Sequence, residues 1–127
     1  MHGQFDSPIT LPSNGSPPFR VSGPLEEVDS GVDEVRIIFL IVQGQGGKVV
    51  TVQGEGTWKR SSSGNKWIGE AVPPVTPYGG AQPKFDAGPA RGIALAIAIS
   101  KGQVVNGDFV PPSIETLTWC ADFKFET

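Results

Sequence analysis

Gly92-Ile93-Ala94-Leu95-Ala96-Ile97-Ala98-Ile99-Ser100 alternates bulky and tiny apolar side chains without a break. Successive residues of a strand point to opposite faces, so Ile93, Leu95, Ile97 and Ile99 share one face and Ala94, Ala96 and Ala98 the other. The isoleucine face reads as the one that fills a core. The alanine face is apolar but thin, a surface that something approaches closely. No helix has this period, so the stretch sets the fold class.

The same logic extends outward along the chain. Val35 to Gln43 is apolar on both faces, the pattern of a covered central strand. Gln43-Gly44-Gln45-Gly46-Gly47 then reads as a hairpin turn into Lys48 to Arg60. In that strand Val50, Val52, Gly54, Gly56 and Trp58 share a face, and its two glycines predict a bulge or a bend over a large side chain. Lys66 to Val72 forms a further strand, and Ile114 to Glu126 the last, with Leu117, Trp119, Phe123 and Phe125 inward. Phe19 to Leu25 supplies the first. Residues 73–91 are rich in proline and glycine and read as loop, with a short strand around Lys84 to Asp86.

Strands separated by turn signals, with no sustained helical period, predict an all-β domain. The expected architecture is an antiparallel β-sandwich of about seven to eight strands, with a closed β-barrel as the alternative. The strand count and alternation over residues 19–127 resemble immunoglobulin-like or fibronectin-like sandwiches, a resemblance that implies architecture alone. Residues 1–18, with Ser-Pro, Leu-Pro and Pro-Pro pairs, read as a flexible tail or linker before a single domain at 19–127. Were that tail to dock, Phe5, Ile9 and Leu11 would be its anchors.

The chain has 127 residues, enough for one sizeable core. It carries 13 acidic against 10 basic residues, with no basic stripe for nucleic acid. The longest apolar run, Ile37 to Val42, is too short for a membrane span. The lone histidine is His2 and the lone cysteine Cys120. A nucleophilic triad or a transition-metal centre draws on those residue types, so neither a catalytic set nor a metal or cofactor site is expected.

Three functions remain, ordered by what the residues support. The first is a non-catalytic β module, structural or protein-binding, with Ala94, Ala96 and Ala98 as a close-approach interface for the same chain, a second copy or a protein partner. The second is a carbohydrate-binding module using Trp67 and Tyr78 as stacking rings. The third is a carboxylate-dependent enzyme acting on glycans through Glu55 and Glu70, should their strands be neighbours. Asp29, Asp33 and Glu34 cluster in one loop but lack the spacing of a calcium loop and read as solvated turn acids.

Overall fold

The computed structural model describes residues 1–60, 65–72 and 84–127. Within them the chain is all-β, with no helix. The strands are β1 (His2–Gly3), β2 (Ile9–Thr10), β3 (Phe19–Glu26), β4 (Glu34–Gln45), β5 (Lys48–Trp58), β6 (Lys66–Ala71), β7 (Gly88–Ser100), β8 (Gln103–Val105), β9 (Asp108–Val110) and β10 (Ser113–Glu126). Eight of them form one sheet in the order β1-β3-β6-β5-β4-β7-β10-β2, and β8 pairs with β9 alone. All neighbours in the large sheet are antiparallel except β10 and β2, which run parallel. The sheet curls into a half-barrel. The expected all-β class is thus present as one large curled mixed sheet that wraps around the core.

Which face turns inward is decided by volume. Reading across the strands, one row of the inner face runs Phe19, Ala71, Gly54, Phe39, Ala94, Trp119. The next runs Val21, Gly69, Gly56, Ile37, Ala96, Leu117. Large side chains thus project over strands that present only glycine or alanine. A Cβ built on Gly69 would stand 2.6 Å from the Phe39 ring, and one on Gly92 2.8 Å from the Phe5 ring. Of the two β5 glycines, Gly54 lies under the Phe39 ring, and a Cβ on Gly56 would stand 3.1 Å from the Trp67 ring.

The interior is an aromatic cluster. Trp67 packs on Phe39, Phe5 and Trp119 with ring centroids 5.8, 5.6 and 5.8 Å apart. Phe5 also meets Phe123 at 5.7 Å. Towards one end Phe85 lies against Phe19 and Phe125, at 6.0 and 5.1 Å. That end is tied down by the buried Gln43, whose amide donates to the Asp86 carbonyl at 2.8 Å and accepts from the Asp86 N–H at 2.9 Å. At the other end the Asp33 carboxylate accepts from the Lys101 N–H at 2.6 Å, and Arg60 sits 5.3 Å over the Trp58 ring.

Ala94, Ala96 and Ala98 are at most 2% exposed, lying in the core of their own chain, and Ile93 faces outward at 47%. Val35 to Gln43 is likewise covered on one face only, with Ile38 and Leu40 exposed. The N-terminal segment, expected as a flexible tail, here pairs with both edges of the sheet. β1 and β2 are the two edges of the sheet, so residues 4–8 cross from one edge to the other. The Gln4 and Asp6 N–H groups bond to the Pro24 and Ser22 carbonyls of β3, and the Leu11 N–H bonds to the Glu126 carbonyl of β10. Asp6 accepts from Ser22 Oγ at 2.8 Å and Lys66 Nζ at 3.1 Å. Burial pushes the Asp6 carboxyl up, but those two donors and the lysine charge outweigh it and hold the group below its ordinary value.

Phe5, Ile9 and Leu11 are buried, and Phe5 touches rings from both halves of the sheet. Phe5→Ala is expected to lower unfolding free energy by about 3–5 kcal/mol in urea titration. A change within about 0.5 kcal/mol, as for a surface residue, would restore the flexible-tail reading.

Candidate functional site

With the rings inside, alternation sends a different set of residues to the outer face. In register across the sheet, Arg20 of β3 stands opposite Glu70 of β6, Glu70 opposite Glu55 of β5, and Glu55 opposite Ile38 of β4. Ile38 is in turn opposite Leu95 of β7, Leu40 opposite Ile93, and Arg36 opposite Ile97. Ile38, Leu40, Ile93, Leu95 and Ile97 form a continuous aliphatic stripe over β4 and β7. Beside it runs a groove of about 800 Å³ lined by Arg20, Arg36, Ile38, Glu55, Ile68 and Ile97 among others.

The charges of the groove are close but unevenly paired. Arg36 Nε donates to Glu34 Oε1 of its own strand at 2.9 Å. Among the described residues neither Glu55, Glu70 nor Arg20 forms an ion pair. Like charges directly opposite in a sheet are destabilising by roughly 0.2–1 kcal/mol, so Glu55 and Glu70 face each other at a cost. The register thus does make these two carboxylates neighbours, on an open outer face.

Other chemistry-bearing residues lie apart from this groove. His2 pairs with Glu27 at 3.1 Å on an exposed edge. Cys120 is exposed on β10, with Arg91 Nη2 3.6 Å from its sulfur. No group of three or more His, Cys, Asp or Glu side chains is placed to hold a metal ion among the described residues. In the acidic loop, the Asp33 carboxylate caps Lys101, Glu34 pairs with Arg36, and the Asp29 carbonyl accepts from Arg60.

The residues singled out for ligand stacking are not brought together. Trp67 has no exposed surface, and its indole N–H donates to the Gln4 carbonyl at 3.0 Å. Its ring is part of the core and offers no face to a sugar. Tyr78 lies outside the described residues. The alanines, read as a close-approach interface, are approached by Phe39, Trp119 and Leu117 of the same chain.

Comparison with protein-family models, curated proteins and solved structures gives no match.

The outward residues were missed because alternation gives two faces without saying which is inside. A signal was nonetheless present: Gly54, Gly56 and Gly69 on adjacent strands mark a wall thinned for rings, and alanines belong to the same wall. For the carboxylate pair, Glu55→Gln is expected to raise the denaturation midpoint at neutral pH, by up to about 1 kcal/mol of stability. The gain should shrink at high salt. A loss of stability on this substitution would contradict the repulsion.

Proposed function

We propose that the chain is a non-catalytic β module that works by protein–protein contact, with the outer face of β4 and β7 as its contact surface. One observation carries this reading: Ile38, Leu40 and Ile93 are exposed side by side on β4 and β7, and the half-buried Leu95 and Ile97 continue the stripe. Ile38 and Ile93 are each nearly half exposed. Single apolar residues on a surface need no explanation, but contiguous patches of several hundred Å² mark contact sites. The β-branched Ile38, Ile93 and Ile97 have few rotamers to lose, so little side-chain entropy is lost there on binding.

The groove beside the stripe supports the same reading. Its mixed Arg and Glu rim gives a partner fixed charges to register against, and rim charges govern specificity more than affinity. Glu55 and Glu70 stand directly opposite each other, so a hydrolysis assay tests the glycan-active alternative directly. The exposed stripe has no role in that alternative, which is why contact is the favoured function.

The test uses a photo-reactive amino acid at position 93 of the full chain in its native cell. A discrete adduct, identified by mass and abolished by Leu40→Lys, is the expected result. No adduct at 93, or one unaffected by Leu40→Lys, would overturn the reading.

A further inference from the structure

Two Asn-Gly pairs occur in the chain, Asn14-Gly15 and Asn106-Gly107, and the fold holds them differently. A glycine after asparagine carries no side chain to shield its main-chain nitrogen, so that nitrogen reaches the neighbouring side-chain amide with little hindrance. By sequence both pairs are open to the same chemistry. What separates them is how firmly each is held.

Asn14-Gly15 is locked into the body of the half-barrel. Asn14 Oδ1 accepts from the Ser16 N–H at 3.1 Å, and the Gly15 N–H donates to the Pro12 carbonyl at 2.9 Å. The Gly15 carbonyl accepts from the Phe85 N–H at 2.7 Å, and Gly15 and Ser16 are buried. Both the amide and the nitrogen that would attack it are already engaged.

Asn106-Gly107 is the turn of the β8–β9 hairpin, which continues past the paired ends of β7 and β10 and joins no other strand. With φ of 50° and 81° it is a tight two-residue turn. Both turn residues and all six strand residues are exposed. A Cβ built on Gly107 would meet nothing within 4 Å. Among the described residues no side-chain hydrogen bond holds Asn106, and the Gly107 N–H donates to no carbonyl outside the strand pairing. An isolated two-stranded ribbon is marginally stable, so this turn opens at little cost to the conformations that attack requires.

We propose that Asn106 is a site of spontaneous deamidation in the folded chain. The Gly107 main-chain nitrogen attacks Asn106 Cγ and gives up its proton to solvent. The Cγ–Nδ2 bond breaks, ammonia leaves, and a succinimide ring closes. Water then opens the ring. Addition at Cγ breaks the newly formed C–N bond and leaves aspartate; addition at the main-chain carbonyl breaks the original peptide bond and leaves isoaspartate, with the chain running through Cβ and Cγ. No oxidant or reductant takes part. Either product sets a second carboxylate near Asp108, the only charge between Gln103 and Ser113. It does so on a hairpin whose Val104 and Phe109 stand opposite each other, 70% and 69% exposed. The isoaspartate also lengthens the main chain of a two-residue turn, which disturbs that pairing.

Peptide mapping by mass spectrometry, with aspartate and isoaspartate separated by chromatography, tests this on the full chain incubated folded in mildly alkaline buffer. Both products should accumulate at position 106 about tenfold faster than at position 14, because only the latter needs the body of the fold to open. In urea the two positions should convert at rates within about threefold of each other, since the unfolded chain holds neither. Asn106→Gln should abolish conversion at the hairpin. Conversion of the folded chain no faster at 106 than at 14, or conversion at 106 in urea but not in the folded chain, overturns the proposal.

Discussion

The fold depends on large rings packing against strands that have almost no side chains. Phe39 lies over Gly54 and Gly69, and Phe5 over Gly92, at distances where a Cβ has no room. Ala94 sits between Phe39 and Trp119 in the same cross-strand row. A half-barrel narrow enough to be filled by one layer of side chains needs this division, because large residues on every strand would overfill it. Glycine in a strand interior costs conformational entropy, and here that cost is offset by the burial of rings it permits.

The position of the isoleucines follows from that packing. Once the alanines of β7 are committed to the interior, Ile93, Leu95, Ile97 and Ile99 must point out, and Ile38 and Leu40 of β4 fall beside them. The outward stripe is a geometric consequence of how the core is filled, and its β-branched composition suits the extended backbone. The chain's first residues complete the arrangement. By pairing with β3 and then with β10 they bring both sheet edges together over Phe5, so the segment that looks least structured in composition joins the two ends of the sheet.

Much of this was legible from the residues. Period-two alternation locates β3, β4, β5, β6, β7 and β10 to within a few positions. Gly54 and Gly56 announced a large neighbour. What alternation does not carry is the sign of a face. For β7 both faces are apolar, so hydrophobicity alone favoured burying the larger residues, and only the count of rings needing space reverses that choice. Trp67 carries the same difficulty: Ile68 beside it points to the opposite face, and the register with Trp58 and Gly23 decides which side is inner. Phe5, Ile9 and Leu11 were read as anchors for docking elsewhere because proline and serine separate them, and their partner strands are more than a hundred residues away or lie beyond several turns. Glu55 and Glu70 became neighbours only through register, which a one-residue slip would have undone.

The assignment of inner and outer faces on β7 is the claim on which the rest stands, and thiol labelling tests it directly. In a Cys120→Ser background, Ile93→Cys and Ala94→Cys differ by one residue and by the side of the sheet they occupy. Under native conditions the thiol at position 93 should react with a polar alkylating reagent at close to the unfolded rate, while the thiol at position 94 should be protected until the chain unfolds. Rapid labelling at 94 with protection at 93 would contradict the account.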